Sequence, residues 1–199
     1  MTHPLRIALL TTLALSLTSC GDAPPEPSPS PSQQSPSPQA KSPDQAPQKA
    51  ADKKEPASLE ADARALLDGF LAAGADHAAL TAKLKPTADD IRAVYDEPLA
   101  AKLITMYEEA WKGALVVAPK PDQDEVLLTL SNSSELMGGG AALSDFPGGY
   151  KDVVSSMKAE VPLARFKFVK KGETLGMAFD GLVYVNGHWV LMPKPWRAL

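Results

Sequence analysis

The sequence predicts an α+β domain in which N-terminal helices pack on a curved, mainly antiparallel β-sheet, preceded by a signal peptide and a disordered linker. Three observations carry that expectation. Apolar residues recur at helical spacing from Ser58 to Gly113, short runs rich in Val and Leu replace them afterwards, and Asn186-Gly187 stands between two strand-like runs near the end.

The chain opens with the positive Arg6 and an 11-residue apolar run, Ile7 to Leu17, ahead of Leu17-Thr18-Ser19-Cys20, which holds the one cysteine of the sequence. This is the layout of a cleavable secretory signal, and it is too short for a membrane span, which needs roughly 20 apolar residues. The tetrad resembles the lipobox of bacterial lipoproteins. That resemblance implies cleavage after residue 19 and lipidation of Cys20, so the membrane is an expected partner through a lipid anchor. Gly21 stands where an aspartate often retains such proteins in the inner membrane, so in a diderm bacterium the resemblance favours the periplasmic face of the outer membrane.

Loss of residues 1–19 leaves 19 basic against 24 acidic residues, a net charge of −5. No basic excess argues for nucleic acid. With Cys20 acylated, no thiol remains for a disulfide, a thiolate metal site or a nucleophile. From residue 20 to 57 the composition is Pro, Ser, Gln, Ala and Lys with almost no aliphatic or aromatic residue, as in Pro27-Ser28-Pro29-Ser30-Pro31-Ser32. Such a segment buries too little apolar area to offset its ordering entropy, so it reads as a disordered tether. At about 3.1 Å per residue it spans up to on the order of 100 Å.

Residues 58–199 read as one globular domain. Ser58 is the expected N-cap of a helix carrying Leu59, Ala63, Leu66, Leu67 and Phe70 and stopped by Gly74. Asp76 caps a short helix with Leu80 and Leu84, ended by Pro86. Thr87 and Asp90 form a capping box ahead of Ile91, Val94 and Tyr95, and a longer helix runs from Pro98 through Leu103 and Tyr107 to Gly113. The extended half begins with Ala114–Ala118 and Glu125–Leu130, joined by a turn at Pro119–Asp124. Met137–Ala141 reads as loop, Gly149–Lys158 as a fourth helix, and Leu163–Val169 as a half-buried strand with Phe166 and Phe168 on one face.

The dipeptide Asn186-Gly187 favours a two-residue type I′ turn, which fixes the pairing of the final hairpin. Tyr184 then faces Trp189 and Leu182 faces Leu191 on one side; Val183 with Val190 and Val185 with His188 share the other. Both faces are mostly apolar. One suits the N-terminal helices, and the other calls for a pocket, a second subunit or the C-terminal tail as cover. Gly176 and Gly181 mark an expected bulge or bend. Helices first and then a curved sheet closing on an aromatic hairpin resemble the NTF2-like or cystatin-like cone of small bacterial lipoproteins. The matching residues are Phe70-Leu71-Ala72-Ala73-Gly74-Ala75-Asp76 with Leu84 and Pro86, and Val185-Asn186-Gly187-His188-Trp189-Val190. The resemblance covers the two ends of the domain, and the family hosts enzymes, ligand carriers and inert modules, so it bears on fold more than on function.

Candidate chemistry is sparse. After cleavage two histidines remain, His77 and His188, and no Asp/Glu spacing suggests a metal or a cofactor. His188 beside the turn reads as exposed; its functional alternative is a general base paired with Asp180 or Asp145. Gly138-Gly139-Gly140 lacks the Gly-Lys-Ser/Thr of a phosphate loop, and Asn132-Ser133-Ser134 is a coincidental sequon. Phe146-Pro147-Gly148-Gly149-Tyr150 and Pro193-Lys194-Pro195-Trp196-Arg197 hold aromatic rings between Pro and Gly. Tyr150, Tyr184, His188, Trp189 and Trp196 are therefore the candidate contact residues. From Leu136 onward the chain has 8 basic and 5 acidic residues, and Lys151, Lys158, Arg165, Lys167, Lys170 and Lys171 form a candidate basic face. The expected function is a non-catalytic binding or interaction module of the cell envelope, with an envelope protein or a small apolar ligand as partner. The alternatives are a small enzyme with an acid or base in the sheet cavity, and a structural spacer.

Overall fold

The computed structural model describes residues 55–113 and 115–199; the expected signal peptide, Cys20 and nearly all of the expected linker lie outside these residues. The described part combines helices with a four-stranded antiparallel sheet. Helices α1 (Pro56–Leu71), α2 (His77–Ala82), α3 (Ala88–Val94) and α4 (Leu99–Lys112) come first. Strand β1 (Glu125–Asn132), short helices α5 (Ser133–Gly138), α6 (Gly140–Asp145) and α7 (Tyr150–Val153), and strands β2 (Pro162–Val169), β3 (Gly176–Val185) and β4 (His188–Leu191) follow. The strands lie in the order β1-β2-β3-β4, a plain meander.

The helix signals hold with small shifts. Asp76 accepts the Ala79 amide at 2.9 Å, and Thr87 and Asp90 make a reciprocal capping box. Helix α1 starts two residues before the expected Ser58, because Pro56 in its first turn has no amide to satisfy and a φ suited to the helix.

Three expectations in the extended half are corrected. Residues 115–118 are not a strand: the Val117 amide is taken by Thr81 Oγ1 at 2.9 Å, while that hydroxyl donates to the His77 carbonyl at 2.7 Å, so Val117 packs in the core without joining a ladder. Met137–Ala141 is not a loop but the junction of α5 and α6, with Gly139 at φ 74° between them. A capping box drives α5: Asn132 accepts the Glu135 amide at 2.9 Å and the Glu135 carboxylate accepts the Asn132 amide at 3.3 Å. The expected helix at Gly149–Lys158 is one α-turn, α7, followed by a 3₁₀ turn at Val154–Ser156. It ends there because the chain next pairs with the segment after α3, where the Lys158 amide donates to the Val94 carbonyl at 2.8 Å and the Asp96 amide to the Ser156 carbonyl at 2.9 Å.

The hairpin has the expected pairing: Leu182 with Leu191, Val183 with Val190, Tyr184 with Trp189, Val185 with His188. Asn186 and Gly187 take φ values of 51° and 85°, as a type I′ turn requires. Both faces of the sheet are covered. On one, Leu182, Trp189 and Leu191 join Phe166 and Phe168 under α1, packed by Leu59, Ala63, Leu67 and Phe70. On the other, Leu163, Val183, Val185 and Val190 pack against Ile91, Val94, Leu103 and Tyr107 of α3 and α4 and against Tyr150 and Val153 of α7. The valine face is therefore core, where a pocket wall was one expectation.

Between Ala164/Leu182 and Phe166/Phe179 the pairing gains one residue on β3, a bulge at Asp180-Gly181. Gly181 sits at φ 79° with the Met192 amide on its carbonyl at 2.7 Å; a Cβ there would lie 2.2 Å from the Met192 carbonyl oxygen. Replacement by alanine combines a left-handed strain of about 1–3 kcal/mol with that clash. Gly181→Ala is expected to lower the unfolding free energy by at least about 3 kcal/mol in urea, whereas Gly172→Ala, also at positive φ but with open space around it, shows the strain alone.

Trp189 is 6% exposed, its ring 5.3 Å from Tyr184 in an edge contact, and its indole N–H meets no acceptor among the described residues. Trp189→Ala should cost about 3–5 kcal/mol in chemical denaturation. Trp189→Phe, which keeps a ring and removes the unpaired N–H, should cost less than half as much; equal losses would remove packing as the origin.

Candidate functional site

The candidate contact residues divide between the two cores. Tyr184 and Trp189 belong to the α1 face, whereas Tyr150 lies in the opposite core with Trp196 packed on it. His188 is exposed at the hairpin end. They do not share one surface. What the structure brings together instead are the two Pro/Gly-aromatic segments: Trp196 meets Tyr150 at 5.3 Å and Tyr150 meets Phe146 at 5.4 Å, both edge-on. Trp196 lies so close over Gly149 that a Cβ would sit 2.2 Å from its Cδ2. The segments cap the core on one another.

His188 meets neither Asp180 nor Asp145. Its Nε2 lies 3.5 Å from Asp90 Oδ2, across the gap between the hairpin and α3. Asp90 is 1% exposed and already occupied: Oδ2 accepts the Thr87 amide at 2.9 Å and the Thr87 hydroxyl at 2.7 Å, and Oδ1 accepts the Asn186 side-chain amide at 2.8 Å. Burial alone would raise the Asp90 pKa, but the donors of Thr87 and Asn186 and the nearby His188 together hold it below the ordinary value of 3.8. The cluster is a latch that ties the hairpin turn to the N-terminus of α3. Its aspartate is 1% exposed and held by three donors, so it is poorly placed as a general base.

Three residues of the candidate basic face hold backbone carbonyls. Lys158 donates to the Arg92 carbonyl at 2.6 Å, Lys167 to the Thr174 carbonyl at 3.3 Å, and Arg165 to the Asp145 carbonyl. Tyr95, Tyr107 and Tyr150 are buried together, and burial raises each hydroxyl pKa well above its usual value, with Asp180 adding to the shift. Tyr107 donates to the Pro193 carbonyl at 3.2 Å. These phenols stay neutral and serve packing.

Concave features include a groove and a smaller pocket. A groove of about 300 Å³ runs between the α2–α3 connection and α4, lined by Pro86, Thr87, Ile91, Ile104, Tyr107 and Trp111. A smaller pocket of about 170 Å³ is lined by Phe146, Pro147, Arg165, Ala178, Phe179 and Asp180. Asp180 is the one acid of the latter that is buried, and burial raises its pKa against the pull of the Lys194 amide and of the Lys194, Arg165 and Arg197 charges. Among the described residues no group of three or more His, Cys, Asp and Glu is placed to hold a metal ion, and no helix is long and apolar enough to cross a membrane. Comparison with protein-family models, curated proteins and solved structures finds nothing that matches this chain.

Sequence reasoning missed the Asp90 latch because its partners are 96 residues apart, although the Thr87-Asp90 box itself was readable. It missed the Asp180 pocket for the same reason. Asp90→Ala should lower stability by about 1–3 kcal/mol near pH 7 by leaving Thr87 and Asn186 donors unmatched. A carboxylate with a depressed folded-state pKa stabilises above the unfolded value of 3.8 and loses that contribution as pH falls through the folded value. The difference between wild type and Asp90→Ala in urea should therefore narrow as pH is lowered from about 7 to about 3.

Proposed function

We propose that this chain is a lipid-anchored protein of the bacterial cell envelope whose folded part is a binding or interaction module held off the membrane by the 20–57 tether. The observation that carries the anchor is Leu17-Thr18-Ser19-Cys20 after an 11-residue apolar run and a basic n-region. Acylation of Cys20 supplies the membrane affinity, and a doubly or triply acylated terminus exceeds the marginal hold of a single chain. Gly21 favours the outer membrane in a diderm source. The folded part joins the helix-then-sheet order and closing hairpin that resemble an NTF2-like or cystatin-like cone, a frame that carries binding sites as readily as catalytic ones.

Binding is favoured over catalysis by the fate of the polar groups. The one His–Asp contact among the described residues is consumed by the hairpin latch, and the buried tyrosines are held neutral. An envelope protein or a small ligand is the partner class that fits a module with shallow, mixed apolar and charged concavities. Cys20→Ala tests the anchor: the protein is expected to leave the membrane pellet for the soluble periplasmic fraction and to lose incorporation of labelled palmitate. Membrane association that survives this change overturns the assignment.

A further inference from the structure

We propose that the pocket between β2, β3 and the end of α6 binds a small α-amino acid, its carboxylate on Arg165 and its ammonium on Asp180. The proposal rests on the binding-module function above and names its ligand class.

The pocket is built by the bulge. Gly181 takes the extra residue of β3, and Asp180 beside it is turned against the C-terminal segment, where Oδ1 accepts the Lys194 amide at 2.9 Å. Asp180 as a residue is 9% exposed and lines the pocket, and among the described residues no donor to its second oxygen and no cation within ion-pair distance is found. That second oxygen is not sealed from solvent, so the cationic group of a ligand can reach it from the pocket.

Arg165 stands on the neighbouring strand in the same pocket and spends one Nη1 donor on the Asp145 carbonyl, which orients the guanidinium. Of its five N–H groups, four remain for a carboxylate, which guanidinium binds through two parallel hydrogen bonds. Lys194 and Arg197 add positive charge close enough to act on Asp180. A purely anionic ligand would meet Asp180 as a like charge, and a purely cationic one would meet the three basic groups. A zwitterion satisfies both. Phe146, Pro147 and Phe179 supply an apolar wall for a short side chain. A volume of about 170 Å³ accommodates a small amino acid such as glycine or alanine.

The experiment is titration calorimetry on the full chain in detergent, with glycine and alanine against propionate and ethylamine as one-group controls. Alanine is expected to bind saturably, and both controls at least about tenfold more weakly, since each forgoes one charge-assisted contact. Asp180→Asn keeps an acceptor for the Lys194 amide while removing the charge, and Arg165→Gln keeps a donor; each should weaken alanine by about tenfold or more without lowering the melting temperature. Absence of saturable alanine binding to the folded protein overturns the proposal, as does propionate binding as tightly as alanine or alanine binding indifferent to both substitutions. The Cys20→Ala fractionation is independent of these titrations, so failure here leaves the anchor and its test standing.

Discussion

A hairpin that is apolar on both faces requires cover on both, and the rest of the chain is arranged to supply it. The two-residue turn at Asn186-Gly187 sets the pairing of β3 with β4, and from that point the identity of each face is settled by the alternation of side chains. The aromatic face, with Tyr184, Trp189, Phe166 and Phe168, receives α1, whose Leu67 and Phe70 are almost fully buried against it. The valine face is flatter and takes more than one element: α3, α4 and the short helices between β1 and β2. Each large buried side chain contributes about 1.5–3 kcal/mol, so neither layer is dispensable in a domain of this size.

The bulge at Asp180-Gly181 turns this packing requirement into a site. Phe179 and Leu182, three residues apart, both face the α1 layer, which uninterrupted alternation would forbid. The extra residue lets them do so, and Gly181 alone accommodates the backbone of Met192 at that distance. The displaced residue is Asp180, swung toward the chain end and left beside Arg165. A single backbone irregularity thus serves the core and creates the polar pocket.

The parts of the fold legible in the sequence were those whose cause is local. The Asp76 cap, the Thr87-Asp90 box and the type I′ turn are each specified within a few residues, and each was read from them. Asn132-Ser-Ser-Glu135 carries the same kind of local signal, but the Gly-rich run at Met137–Ala141 reads as loop and hides the end of α5 and the start of α6. Val117 shows the other kind of miss. Its β-branched neighbours suit a strand, yet its amide is claimed by Thr81 from 36 residues away, a tertiary contact that no window of sequence contains. The cover of the valine face is open in the sequence for the same reason, since α3 and α4 lie about 75 to 100 residues before the hairpin turn and the short helices about 30 to 50.

The two buried carboxylates show how burial alone does not assign a role. Asp90 and Asp180 are both largely withdrawn from water, yet their pKa values move in opposite directions. Asp90 has donors on both oxygens, so its charge is stabilised and the group acts as a structural fastener whose contribution fades in acid. Asp180 has a backbone donor on one oxygen and none on the other, so its charge is penalised and the carboxyl favours folding in its neutral form, a contribution that falls as pH rises through its folded value. Burial raises both pKa values; at Asp90 the donors of Thr87 and Asn186 with the nearby His188 outweigh it, and at Asp180 the Lys194 amide and the neighbouring charges do not. Asp90 is fastened by donors on both oxygens, whereas Asp180 keeps one oxygen open in a pocket it shares with Arg165, and it is there that a ligand's cationic group can add a partner.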